Sequence, residues 1–225
     1  MYWIIVGDIH ESVGALRGIP GIGAAEALIL GGDLTNRGGS AQAEGVLRAA
    51  QAANPHVLAQ VGNMDHPSLT DVLAARGMNI HREVRLLAPG LALMGVGWST
   101  PTPFDTPAET SEAELREWIR ETHAKARALL AQDGPGGKLV AVIHTPPLNT
   151  RLDALASGAH VGSAAVREFI LEAEPEVFVC GHIHEARGED HLGRTHLLNP
   201  GLLSEGGYVR LELSGGRLTA ALGGA

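Results

Sequence analysis

Short apolar runs in this chain stop abruptly, and what stops them is most often glycine followed by aspartate, asparagine or histidine. Trp3-Ile4-Ile5-Val6 runs into Gly7-Asp8-Ile9-His10, and Leu28-Ile29-Leu30 into Gly31-Gly32-Asp33. The run Val57 to Val61 meets Gly62-Asn63-Met64-Asp65, Val140 to Ile143 meets His144, and Val177 to Cys180 meets Gly181-His182-Ile183-His184. Runs of this length and bounding read as buried strands whose next residues leave the sheet. Ligands of open α/β sheets bind beyond the carboxyl ends of strands. Five such ends would carry their oxygens and nitrogens to one edge. Gathering so many polar groups costs free energy unless something compensates them, and a metal centre is the economical explanation.

The rest of the composition fits that picture. A chain of 225 residues suits one domain, residues 1–225. It is long enough to bury roughly 70% of its unfolded surface without cross-links. Aromatic residues make up only 4%, so the core is expected to be aliphatic, and Cys180 is the only cysteine, which excludes a disulfide framework. The net charge of −8 argues against a broad nucleic-acid surface. It does not exclude a small phosphate ester, because bound cations invert the local sign. No basic, apolar leader precedes the first strand, and no run approaches the ~20 apolar residues that span a membrane. A soluble cytoplasmic protein is expected.

Strands are expected at Tyr2–Val6, Ala25–Leu30 and Val57–Val61, alternating with a short helix over 12–17 and helices over Ser40–Ala53 and Pro67–Arg76. That alternation implies parallel pairing. Arg85–Leu87 and Leu91–Val96 read as an antiparallel pair. The Pro- and Thr-rich stretch 99–110 reads as irregular, and its part 99–107 as a rim or lid or else a rigid connector. A helix over Ser111–Gln132 begins with a capping-box pattern, Ser111 with Glu114. Strands Lys138–Ile143 and Val177–Cys180 flank a helix over Gly162–Ala173. The tail, Thr195–Leu198, Tyr208–Leu213 and Leu218–Leu222, reads as antiparallel, with Ser214-Gly215-Gly216-Arg217 as a hairpin turn. Two mixed sheets packed face to face with helices outside follow, the N-terminal half feeding one sheet and the C-terminal half the other.

Taken singly, each polar word has a bland reading. Asp8-x-His10 puts a carboxylate and an imidazole on one side of an extended segment, yet such a pair also makes an ordinary Asx-turn. Gly32-Asp33 is common turn chemistry, and a lone His144 is more often a satisfied buried histidine than a ligand. Their ordered conjunction resembles the calcineurin-like metallophosphoesterases, over nearly the whole chain from Asp8 to about Gly201. The stretch Trp98–Pro107 is similar to that of a bacterial and archaeal branch of predicted phosphoesterases.

The resemblance implies a four-layer α-β-β-α sandwich, an α/β fold (α+β by some schemes), and a dinuclear site. Asp8, His10 and His184 would hold one metal, Asn63, His144 and His182 the other, and Asp33 would bridge them. The donor set suits two divalent ions, manganese first, with iron or zinc as alternatives. The implied reaction is hydrolysis of a phosphodiester or activated phosphomonoester by metal-bound hydroxide, with Asp33, Asn63 and His144 catalytic and Asn63 also touching substrate. Many relatives carry a proton-donating histidine after the asparagine, where this chain has Met64. His66 is the nearest replacement donor. Arg37 is a candidate for a forked phosphate contact, set against a plain surface arginine. The alternatives to an enzyme of this kind are a scaffold module that keeps the fold without catalysis, and a metal-dependent hydrolase of non-phosphate substrates. The expected partner is a small phosphate ester. An exposed hairpin edge leaves self-association open.

Overall fold

Alternation within β1 (Tyr2–Val6) sets the layering. Successive side chains of a strand face opposite ways, and both faces of β1 are buried. Ile4 and Val6 pack with Leu28, Leu30, Val46 and Leu47 beneath the helices of the N-terminal half. Trp3 and Ile5 pack with Ile29, Val140, Val142, Val177 and Val179 between the sheets. A third cluster joins Met94, Val96 and Ala141 to Leu115, Ile119 and Phe169 on the other helical side. The result is a four-layer α-β-β-α sandwich. The computed structural model describes residues 1–134 and 136–224.

One sheet contains β1, β2 (Leu28–Leu30), β3 (Val57–Ala59), β10 (Tyr208–Ser214) and β11 (Arg217–Gly223), in the order β11-β10-β1-β2-β3. The other contains β4 (Glu83–Ala88), β5 (Leu91–Val96), β6 (Lys138–Ile143), β7 (Val177–Val179), β8 (Gly188–Leu192) and β9 (Thr195–Asn199), in the order β4-β5-β6-β7-β9-β8. Strands β1, β2 and β3 are mutually parallel, as are β5, β6, β7 and β9. Each sheet therefore gathers its carboxyl ends at one edge. Helices α1 (Ser40–Ala53) and α2 (Leu69–Ala75) cover the first sheet, and α3 (Glu112–Leu130) and α4 (Ala164–Ala173) the second. No described helix is long and apolar enough to cross a membrane.

Several expectations need correction. The C-terminal half does not feed only the second sheet: β10 pairs antiparallel with β1, and β11 follows it through a Gly215-Gly216 turn with both φ positive. Strand β9 is parallel to β7, and its antiparallel partner is β8, which the sequence did not reveal. The segment 13–18 is a 3-10 turn. Strand β2 begins at Leu28 because the Ala25 N–H closes a 3-10 turn on Ile22. At α3 only half of the capping box forms. Ser111 accepts the Glu114 N–H, whereas the Glu114 carboxylate accepts from the Thr110 hydroxyl at 2.6 Å.

Candidate metal centre

The polar words follow β1, β2, β3, β6 and β7 and meet where the two sheets' carboxyl ends adjoin. Asp8, Asp33, Asn63 and His144 are buried, and His10, His182 and His184 are half-buried. Four of these seven, Asp8, His10, Asp33 and His182, hold left-handed backbone at φ between 44° and 70°. Non-glycine residues rarely sit there, and such conformations concentrate at functional sites. Close approach also needs glycine. A Cβ on Gly62 would collide with the Asp33 carboxylate, and one on Gly181 would lie 2.6 Å from Asp8 Oδ2.

Two groups form around Asp33. In the first, ligand atoms of Asp8, His10, Asp33 and His184 all lie within 4.8 Å of one another. His10 Nε2 faces His184 Nε2 at 3.2 Å, and His184 Nε2 lies 3.3 Å from Asp8 Oδ1. In the second, the carbonyl oxygen of Asn63 is approached by His182 Nδ1 at 2.7 Å and His144 Nε2 at 3.0 Å. Asp33 turns Oδ2 to His10, at 3.6 Å, and Oδ1 to His144, at 3.5 Å. One carboxylate thus addresses both groups with different oxygens.

This donor set fits cations. Asp8, Asp33 and Asp65 are buried carboxylates, and among the described residues no lysine or arginine pairs with any of them. Buried charges without partners are costly. Asp8 Oδ2, buried, has no hydrogen-bond partner among the described residues. Burial pushes the Asp33 carboxyl upward, but the charge of His144, helped by His10 and the Met64 N–H, prevails and holds it at about 2. Burial lowers His144, and Asp33 with Asp8 and Asp65 carries it up to about 9. Burial and then the His144 charge push His182 down to about 4. A proton on His144 supplies positive charge that a bound divalent ion would supply in its place.

Residues outside the expected set hold this arrangement. The Asn63 amide donates to Thr106 Oγ1 at 3.1 Å, and the Thr106 hydroxyl donates to Glu109 at 2.5 Å. That chain fixes which side of the Asn63 amide faces the histidines. Asp65 accepts from the Leu34, Thr35 and Gly62 N–H groups and the Thr35 hydroxyl, binding the loops after β2 and β3 together. Burial and the Asp33 charge raise its carboxyl to about 6. Gln60 donates to the carbonyls of Gly31, Val96 and Val142, linking strand ends of both sheets. The Asn199 amide donates to the Ile183 carbonyl. A lone amide inside the apolar run 57–61 was a readable sign of Gln60. Nothing in the sequence pointed to Thr106, which lies 43 residues from Asn63.

A cleft of about 780 Å³ opens over the cluster, and Met64, Arg37 and residues of the 100–106 stretch line it. The Pro-rich stretch is thus a wall of the site. Exposed Arg37 donates from Nη2 to the Phe104 carbonyl at 2.6 Å. His66 is not brought to the cleft: it is exposed, and its Nδ1 contacts Ser68 Oγ at 2.8 Å. The Ser99 and Thr145 hydroxyls donate to the carbonyls of Thr100 and Trp98 and meet no base among the described residues.

Comparison with known proteins agrees with this fold. A family model described as metallophosphoesterase, calcineurin superfamily, matches residues 129–220. The Methanocaldococcus jannaschii protein MJ1162 is 30% identical over 181 residues, covering 78% of this chain and 77% of that protein. The crystal structure of TT1561 of Thermus thermophilus shares the fold at a TM-score of 0.66 and 20% identity, over 98% of this chain and 97% of that one. A dimetal phosphatase from Danio rerio superposes with a TM-score of 0.68 at 12% identity, over 100% of this chain and 96% of that one.

Proposed function

The chain belongs to the calcineurin superfamily of metallophosphoesterases, and from that membership we propose that it hydrolyses a phosphate ester, a phosphodiester or activated phosphomonoester, with two divalent cations held by the strand-end cluster. The observation that carries this reading is the convergence of Asp8, His10, Asp33 and His184 beside the Asn63, His144 and His182 group. Asp8, His10 and His184 would hold one ion, Asn63, His144 and His182 the other, and Asp33 both. Manganese, iron or zinc suits these donors. When bound, such ions polarise phosphoryl oxygens and bring the pKa of a coordinated water towards neutrality.

The chain's own residues do the rest. Asp33 divides its oxygens between the two groups, and Thr106 keeps the Asn63 carbonyl aimed at the histidines. Arg37 stands at the cleft wall with one nitrogen committed to Phe104, leaving other N–H groups for a phosphate oxygen. Met64 carries no transferable proton and His66 lies off the wall, so the reading favours esters whose leaving group departs without a proton from either position. We extend it to a cytoplasmic protein acting as one domain, consistent with the single buried cysteine.

Manganese-loaded protein should turn over bis-p-nitrophenyl phosphate, and both a chelator and Asp33→Asn should abolish that turnover. Full metal loading without turnover would instead favour a scaffold that keeps the fold without catalysis.

A further inference from the structure

We propose that the cleft takes a phosphodiester bearing one large apolar ester group, aryl or branched alkyl, seated between the 100–106 loop and the 154–161 turn. The proposal rests on the phosphoesterase reading above and names its substrate class. His10, Asp33, Asn63, His182 and His184 line the same cleft as Met64, Pro101, Phe104, Leu155 and Val161, so a phosphate held at the cluster places its ester groups against apolar walls. Phe104 is 73% exposed and Val161 38% exposed; they are two of the five large apolar side chains left exposed among the described residues. Exposed apolar groups gathered in one concavity mark a binding surface, because covering them removes apolar area from water.

Both walls are fixed in place. On one side Arg37 holds the Phe104 carbonyl, and Glu109 accepts from the Thr102 and Thr106 hydroxyls. On the other, buried Asp153 accepts from the Asn149, Thr150 and Gly162 N–H groups and contacts His160 Nδ1 at 2.7 Å, while Glu185 accepts the Ala156 N–H at 2.5 Å. Walls tied down before binding lose little freedom on binding. Charge selects the diester. Among the described residues Arg37 is the lone lysine or arginine on the lining, and Glu185 lines it too, so the second negative charge of a monoester finds little compensation outside the metals.

The test compares phenyl p-nitrophenyl phosphate with methyl p-nitrophenyl phosphate, which share one leaving group, on manganese-loaded protein. The readout is the phenyl-to-methyl ratio of kcat/KM. Relative to wild type, this ratio should fall roughly tenfold in Phe104→Ser and severalfold in Val161→Ser, mainly through KM. It should stay at the wild-type value in Leu86→Ser, an exposed apolar residue off the cleft. A ratio unchanged in Phe104→Ser and Val161→Ser overturns the proposal. Calorimetry with methyl(phenyl)phosphinate and dimethylphosphinate, whose substituents are all bonded to phosphorus through carbon and so cannot be hydrolysed, separates this outcome from failure of the phosphoesterase reading. If neither diester nor p-nitrophenyl phosphate turns over, the reading of function fails. Tighter binding of the phenyl compound, lost in Phe104→Ser, would then still uphold the apolar subsite, and equal binding would refute it.

Discussion

The strand-end edge and the outer face of α3 treat charge in opposite ways. Along α3, charges sit half in water and find partners: Arg116 with Glu168 at 2.8 Å, and Arg82 with Glu121 at 2.9 Å. Such pairs contribute little, because solvent screens them and holding two long side chains costs entropy. At the strand ends, Asp8, Asp33 and Asp65 are buried, no described arginine or lysine reaches them, and strained backbone holds two of them in place. The first pattern is what a solvated surface accumulates. The second is unfavourable unless a ligand of opposite charge completes it, so the fold's stability is invested in a site rather than in itself.

Three experiments sharpen this contrast. His81 lies where the two regions meet, stacked on Trp98 and edge-on to Trp118, and its Nδ1 accepts the Gly97 N–H at 2.9 Å. Burial, with a smaller push from Arg82, lowers it from 6.5 to about 4. Between those values the unfolded chain binds a proton that the folded one refuses, so stability falls as pH drops through this window. His81→Asn should flatten that limb of a denaturant-monitored pH series by on the order of 3 kcal/mol. An unchanged limb would mean that His81 is not held neutral. Next, Thr106→Val should weaken metal binding roughly 10- to 100-fold by freeing the Asn63 amide. Titration with manganese measures this, and wild-type affinity would remove Thr106 from the support of the site. The smallest effect belongs to the surface: Arg116→Ala should change unfolding free energy by less than about 1 kcal/mol and leave metal content untouched. A larger loss would erase the distinction between the two regions.

What the sequence disclosed follows from where its signals are local. Tyr2–Val6, Ser40–Ala53 and Lys138–Ile143 have the bounds expected, because polarity or glycine changes sharply at their ends. The polar words were readable because each abuts its strand. Strand β8 was not, since Gly188-Glu189-Asp190-His191-Leu192 is an edge strand without apolar alternation. The return of β10 to β1 was not either, because Leu211 opposite Trp3 is a pairing across the whole chain that no local pattern encodes. The support of the site by Thr106 and Asp65 likewise arises only when distant loops meet.

We propose that the strand-end cluster is a two-cation site centred on Asp33. Metal content per chain, measured by mass spectrometry on native protein after reconstitution with manganese and removal of free ion, tests it most directly. Two ions per wild-type chain and fewer than two in Asp33→Asn are expected. A wild-type chain that retains no manganese, iron or zinc, or an Asp33→Asn chain that binds two as tightly as wild type, would contradict it.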